Sequence, residues 1–501
     1  MATGCARKQF FQTDARPDTQ AGQVLGPAAD SVRGVTAGRQ YARHGRLYNA
    51  LVGKHYRTTW AAPVTVPVLR LSEARPGGLR PGKVGGGFNS TNVNLTTATG
   101  EAYVLRTVDK DPSRATPRVL QRTFLLNALR DNVSATNPYA SLVVPPLAQA
   151  VGVPRVAPRL FYVRADDPMF QSDSLRLFRG QLAYLEEKAA VPPGPPFPSR
   201  EDVMGSEAAF AATFAASTNQ INQVALLRAR LLDGWLGDWD RHPGQWNWRS
   251  APPTKTGVVP LLPLPKDRDM VFYRLDDGLL GWLVGHLAIP HWTTFRSKYP
   301  NAIRLLSSGR YLDSRGLNRL TRTQFNSAAL RMQQQLPDSL IERAVKRMPP
   351  AAFALEGRRI VLALQARRDA LPALATAFYE QLARHPVVGG TAEPERFEVH
   401  RYPDSTVVTV HSLPANPGKP AARYPRPFLP TETRSIQLEG LGGNDVFRVE
   451  QHGGKSVNRT RLMLYGGAGA DELQEVKRGH GLRFSQDSAP AKRAYNQPPV
   501  E

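Results

Sequence analysis

Cysteine is nearly absent. Cys5 is the only one in 501 residues, so the chain can form neither an internal disulfide nor a thiolate zinc site. None of the ten histidines pairs with another at the spacing of a metal-binding helix. No apolar run approaches the roughly 18 residues that a membrane-spanning helix requires. Acidic residues are also few, 42 against 65 basic ones, which leaves a net charge of +23. A basic surface can release counterions from nucleic-acid phosphates. Only 13 of the basic residues are lysine, however, and the arginines are spread over every segment rather than gathered in a stripe. That usage, with abundant Ala, Pro and Gly, is the signature of a GC-rich genome, and nucleic acid is not an expected partner.

What is present is globular. Hydrophobic residues make up 41% and charged residues 21%, while 43 prolines and 41 glycines break the chain into modest elements. The length calls for more than one core. Residues 1–34 read as a disordered leader. Residues 35–190 follow as a sheet domain with a basic-aromatic docking helix and strands "VTVPVLRL", "TNVNLTT", "EAYVLRTV", "PRLFYVRA" and "GQLAYLEEK". Helical spacing at 117–130 and 138–150 lies within it, the second interrupted by Pro145 and Pro146. A Pro-rich joint, "AVPPGPPFPSR", leads to a helical domain over 191–385, with helices at 207–216, 219–236, 317–335, 338–348 and 356–384. Alternating strands form a β domain over 386–480, and 481–501 is a disordered tail. The expected class is α+β: a small antiparallel sheet lobe, a helical lobe, then a small all-β domain.

Three stretches carry candidate chemistry. "LLDGWLGDWDRHPGQWNW" brings Asp238 and Asp240 out at the end of an amphipathic helix. "LLPLPKDRDMVF" is an apolar strand ending in Asp267 and Asp269, and "KVGGGFNSTNVNL" is a Gly-rich turn between strands. Phosphoryl transfer needs a carboxylate to orient the attacking hydroxyl, a second to hold Mg²⁺ against the phosphates, and backbone amides to cradle phosphate oxygens. Each stretch also has an ordinary reading, as a structural hairpin or a surface network. The tryptophans at 235, 239, 246 and 248 read as packing beneath the loop rather than a platform for a sugar or base.

In this order the stretches resemble the atypical branches of the protein-kinase-like superfamily: HipA-like, CotH-type, secretory-pathway and phosphoinositide kinases. The resemblance spans 78–280. It implies that Asp240 is the catalytic base, that Gln245 takes the place of a metal-binding Asn, and that Asp267, with Asp269 in reserve, holds Mg²⁺ or Mn²⁺ with ATP. Gly85, Gly86 and Gly87 would cover the phosphates. Glu186 and Glu187 would mark the hinge whose backbone meets adenine. Arg106 stands where a phosphate-binding Lys is expected, with Lys110 four residues on as a substitute, and Arg is not equivalent to Lys in shape or reach. No glutamate lies in 114–150 to orient that cation, and Gln245 is a poorer Mg²⁺ ligand than a carboxylate. Both readings stay open, a kinase or nucleotidyltransferase and a non-catalytic scaffold.

A wider likeness covers "LVGKHYRTTWAAPVTVPVL", "GGLRPGKVGGG", "YVLRTVDKDP", "LVVPPLAQAVGV" and "PLPKDRDMVFY". These look like the region between a calcineurin-like metallophosphoesterase and an outer-membrane β-barrel in large Gram-negative envelope proteins. It implies a periplasmic place, where ATP is scarce, and a barrel or phosphoesterase partner. The hydrolase itself is not expected, because "GDWD" is one residue short of Gly-Asp-x-x-Asp. Small residues before Cys5 resemble a lipoprotein cleavage site, so Cys5 is either a lipid anchor or an incidental thiol. If Met1 is the genuine start, a cytoplasmic place is expected instead. "YGGAGADEL" matches the calcium repeat of secreted toxins and "LGGNDVF" matches it in part. The copies begin 24 residues apart rather than nine, which favours Gly-rich turns over Ca²⁺ at Asp445 or Asp471.

Overall fold

The computed structural model describes residues 31–489 except 43, 86–90, 121–122, 165–166, 173, 189–202, 289–291, 300, 415–422, 454–457 and 476–480. Among the described residues no helix is long and apolar enough to cross a membrane. Cys5, the Pro-rich joint and the end of the tail lie outside the described residues.

The architecture is α+β, with a sheet lobe, a helical lobe and a C-terminal β-rich region. Strand β1 (Val32–Val35) pairs antiparallel with β2 (Val64–Pro67), so order begins within the expected leader. The expected docking helix is two short ones, Arg46–Val52 and Arg57–Ala61. The sheet lobe then forms from β3 (Arg80–Gly85), β4 (Asn92–Thr96), β5 (Ala102–Thr107), β6 (Arg159–Val163) and β7 (Gln181–Glu187), all antiparallel, in the order β3-β4-β5-β7-β6. Strand alternation splits its side chains between two faces. Leu105, Phe161, Val163, Ala183 and Leu185 enter a core private to the lobe, while Tyr162, Leu182 and Tyr184 join the main core.

Pro145 and Pro146 do not interrupt the helix Ala140–Ala150, which runs through both. A helical proline frees the carbonyl four residues earlier. The one that Pro146 frees, Leu142 O, is taken by Arg347 Nε at 3.0 Å. The expected helix at 117–130 contracts to Phe124–Asp131, and the one at 356–384 divides into Arg358–Asp369 and Leu371–Ala383.

The helical lobe carries its own sheet, in the order β8 (Val203–Gly205), β10 (Trp246–Ser250), β11 (Val259–Pro265), β9 (Asn219–Ile221). Its central helix is Gln223–Leu236, shorter than expected because 219–221 pairs as a strand with β11. The Asn222 side chain caps its start, accepting from Ala225 N at 3.0 Å. At its end Gly237 adopts φ +71°, a left-handed cap that glycine tolerates best. Arg367, fully buried, donates to Gly234 O at 2.5 Å and Trp235 O at 2.7 Å, a cation on the carbonyls of the helix C-terminus.

The β-rich region contains β12 (Val387–Gly389), β13 (Glu395–Arg401), β14 (Thr406–Ser412), β15 (Arg423–Phe428), β16 (Ser435–Gly442), β17 (Val446–Gln451), β18 (Arg461–Ala468), β19 (Glu472–Glu475) and β20 (Leu482–Ser485). Strand β20 extends the domain into the expected tail. One sheet, β12-β16-β18-β20, is wholly parallel, and the other sets β13, β17 and β19 parallel, with β14 and β15 antiparallel at its edge. Successive rungs stack like a short solenoid.

A ladder of acidic and amide side chains stitches the turns. Glu395 Oε2 accepts from Thr391 N at 2.7 Å, Asp445 Oδ1 from Glu395 N at 2.8 Å, Asp471 Oδ1 from Asp445 N at 3.0 Å and Gln486 Oε1 from Asp471 N at 3.3 Å. Glycines in and just before the toxin-like motifs serve close approach: a Cβ on Gly440, which precedes the first, would strike Asp445 Oδ2, and one on Gly466, within the second, would strike Asp471 Oδ2. Asp445 and Asp471, weighed as Ca²⁺ ligands, are therefore rungs of this ladder.

Asp445 and Asp471 each keep a buried oxygen without a hydrogen-bond partner. Burial, with Asp471 adding repulsion, raises the Asp445 carboxyl to about 8. A raised folded-state pKa means that the stabilisation is complete below the unfolded value near 4 and is lost as pH rises through about 8. In chelator, the melting temperature of wild type should fall relative to Asp445→Asn between pH 4 and 9. A constant difference would refute the buried-proton account.

Candidate functional site

The cleft between the sheet and helical lobes gathers charge from both sides. On β5 and β7, residues 104, 106, 184 and 186 share the face turned to the helix Ala140–Ala150, in the register Val104↔Glu186 and Arg106↔Tyr184. Arg106 forms an ion pair with Asp267 and lies 3.4 Å from Glu186 Oε2. Lys110, just beyond β5, is paired with Asp269. Tyr184 closes the back of the cleft, donating to Pro138 O at 2.5 Å.

Asp267 follows β11 and has φ +53°, a left-handed conformation that aspartate visits more readily than most residues. Burial pushes its carboxyl up, yet Arg106 and Lys110 prevail and hold it below the ordinary range. Asp269 moves the other way, held above that range by burial and the charge of Asp267. Glu186 is raised by burial against the pull of Arg106. Three carboxylates thus share the cavity with three cations, Arg106, Lys110 and Arg268, the last of which also pairs with Asp233 and Asp238 behind it.

Asp240 is partly exposed, its Oδ1 3.8 Å from His242 Nε2, and it lines neither of the cavities beside Asp267. The residue after it anchors the loop. Arg241, fully buried, donates to Lys266 O at 2.8 Å, Asp267 O at 3.2 Å and Gln245 O at 3.1 Å, with its guanidinium 4.7 Å from the centre of the Trp246 ring. Gln245 O also accepts from Lys266 N at 3.0 Å, which sets Gln245 beside the residue preceding Asp267. Behind them is a knot of buried charge. Asp233 accepts from Arg268 and from Arg230 at 3.0 Å, with Arg241 Nε at 3.3 Å; Arg268 reaches Asp238 at 3.2 Å, and Arg230 grips Asp313 at 2.7 Å. Asp238, weighed beside Asp240, is thereby a buried structural group.

The structure brings together Arg106, Lys110, Glu186, Asp267 and Asp269. Gly85 ends β3 opposite Asn92, while Gly86 and Gly87 lie outside the described residues. Glu187 is separated from Glu186 by strand alternation and falls on the opposite face. The sequence reading gave Glu186 a backbone role and missed its side chain as the partner of Arg106. The period-two pattern of β7 was the available signal. Trp235, Trp239, Trp246 and Trp248 are all buried, as packing requires.

A cavity of about 30 Å³ lies among Arg106, Lys110, Glu186, Asp267 and Asp269. A second, of about 40 Å³, shares Ser141, Glu186, Asp267 and Arg268 with it and adds Val144, Ala148, Pro154, Val156 and Pro158. The second cavity is of mixed character, because Arg155 and Lys266 also line it. The largest cavity described, about 930 Å³, lies elsewhere, between helical lobe and β domain, and both of its carboxylates, Glu380 and Glu432, are held by Arg322.

Arg241→Ala would leave one negative charge of the Asp233–Asp238 knot uncompensated and take a donor from Lys266 O and Asp267 O. It should destabilise the protein by roughly 3–5 kcal/mol in chemical denaturation; a loss below about 1 kcal/mol would show that the loop is anchored otherwise.

No protein-family model and no curated protein sequence matches the chain. Among solved structures, the Helicobacter pylori proinflammatory kinase CtkA is similar over 62% of this chain and 99% of its own, at 12% identity and TM-score 0.34. A golgi casein kinase is similar over 61% and 74%, at 10% identity and TM-score 0.31. The Rio2 kinase of Chaetomium thermophilum, in an ADP/Mg²⁺–phosphoaspartate complex, is similar over 58% and 71%, at 14% identity and TM-score 0.24. None of these likenesses assigns a role to a residue of this chain.

Proposed function

We propose that the cleft is an atypical kinase-like phosphoryl-transfer site for a nucleoside triphosphate with Mg²⁺ or Mn²⁺. The observation that carries this reading is the convergence of Arg106, from the third strand of the sheet lobe, on Asp267 at the end of a helical-lobe strand. The residues fit a metal–phosphate group. Asp267, Asp269 and Glu186 are hard oxygen donors, and the charge of Asp267 helps to hold the other two above the ordinary carboxylate range, a crowding that a divalent cation would relieve. Arg106 Nε is buried without an acceptor, a donor that a phosphate oxygen would satisfy.

In this reading Asp267 and Asp269 hold the metal, with Gln245 beside them, and the metal neutralises phosphate charge when bound. Arg106 and Lys110 turn from these carboxylates toward the phosphates, and Glu186 orients Arg106 in place of a helix glutamate. Asp240 accepts a hydrogen bond from the acceptor hydroxyl and orients it for attack.

A second reading, a non-catalytic scaffold, is favoured by one observation. Arg106 and Lys110 already neutralise Asp267 and Asp269, and the cavity between them is only about 30 Å³. Calorimetric titration of ATP with Mg²⁺ or Mn²⁺ into wild type and Asp267→Asn separates the two. Metal-dependent binding that the variant loses supports the enzyme. No binding by folded wild type supports the scaffold.

An envelope location, with a barrel or phosphoesterase partner, belongs to the same proposal and rests on the segments quoted above. Full-length protein should leave the membrane fraction on Cys5→Ser; an unchanged distribution would remove the lipid anchor.

A further inference from the structure

The β-rich region holds a second constellation, independent of the cleft. Alternation on β13 and β17 sends Phe397, Val399, Phe447 and Val449 into the core. It turns Glu398 and His400, and Arg448 and Glu450, to the outer face. The parallel register sets His400 directly beside Glu450. Just past β17, His452 is brought alongside by its backbone N–H, which donates to Arg401 O at 2.8 Å. The Tyr402 ring stacks on that of His452, with centroids 4.7 Å apart.

Three donor atoms meet there. His400 Nδ1 is 3.0 Å from His452 Nε2, and Glu450 Oε2 is 3.5 Å from the first and 3.6 Å from the second. A hydrogen-bonded cluster accounts for only one of these separations. The two to the carboxylate are too long for good hydrogen bonds. They match the edges of a metal polyhedron instead. A tetrahedral ion with bonds of about 2.0–2.1 Å spaces its ligands by about 3.3–3.4 Å. The triangle of 3.0, 3.5 and 3.6 Å has a point about 2.0 Å from all three corners. Arg448 holds the other carboxylate oxygen, Oε1, at 2.7 Å, which leaves Oε2 for the histidines.

We propose that His400, His452 and Glu450 form a binding site for a divalent cation of the zinc class, its fourth position open to water or an exogenous donor. Imidazole and carboxylate ligands suit such ions, and three protein ligands leave that position free. The ion would join β13 to the chain beyond β17 on the face opposite the core, so metal affinity would add to the stability of the β-rich region. The site is separate from the cleft and does not rest on its proposed chemistry.

The test uses full-length protein without a histidine tag, stripped with chelator and titrated calorimetrically with Zn²⁺. Wild type should take up about one equivalent, melt higher when loaded, and give with Co²⁺ the intense visible bands of a tetrahedral site. His400→Asn and His452→Asn should each abolish that uptake and the melting shift. His411→Asn, altering a histidine 3.3 Å from Glu398 on the same sheet, should retain both. Because the ligands lie on the outer face, the metal-free variants should melt with the metal-free wild type, which separates lost binding from lost folding. No uptake by wild type, or uptake that survives both ligand substitutions, would overturn the assignment.

Discussion

A buried knot of three arginines and three aspartates organises the helical lobe. Arg230, Arg241 and Arg268 share Asp233, Asp238 and Asp313, nearly all out of reach of water. Such a knot gains little net energy over an apolar core of the same shape, because each charge must first be desolvated. Its consequence is geometric. Asp233 belongs to the central helix, Asp238 to the loop after it, Arg268 to the segment following β11, and Asp313 to the helix Arg310–Gly316. Removing any member strands an uncompensated charge, so these four elements are fixed together.

The cleft inherits that rigidity on one side only. Asp267 stands next to Arg268, and Arg241 holds its carbonyl, so the carboxylate is presented from a fixed wall. Arg106 and Lys110 come from the sheet lobe on long side chains. The ion pairs that close the cleft are thus also the contacts that would be exchanged for phosphate, and the balance of charge decides which partner wins. Arginine at position 106 favours the closed state more than lysine would, because its planar fork can serve two carboxylates at once, and here it meets both Glu186 and Asp267.

The β-rich region solves a different problem. Parallel strands cannot be joined by tight hairpins, so their turns need another source of backbone satisfaction. Glu395, Asp445, Asp471 and Gln486 supply it, each accepting a backbone N–H from the preceding level. The glycines beneath leave room for the carboxylates. Docking onto the helical lobe is polar: Arg426 donates to Asn318 O and Leu320 O, and Arg315 pairs with Glu439. The high arginine content is thus partly spent inside, on carbonyls and carboxylates that helices and turns leave over.

The sequence by itself determined the α+β class and the order of the three regions, whereas which of the candidate side chains meet was decided by the tertiary structure. Class and order follow from periodicity, from glycine at helix ends and from short polar motifs, all carried by neighbouring residues. The exposed-looking pair in "GDWD" already marked a helix exit, but nothing local said that Asp238 would be buried against Arg268 while Asp240 stayed at the surface. Pro145 and Pro146 read locally as a break, and a guanidinium from residue 347 overrode them. Glu186 read as part of a hinge, and only the β5–β7 register turned it toward Arg106. The outer-face cluster of His400, Glu450 and His452 was not legible in spacing, because His400 lies about 50 residues from the other two and meets them through a parallel register. Alternation fixes which face a side chain takes, whereas its neighbour across the sheet depends on which strands pair and in what register, and that is set only when the whole core packs.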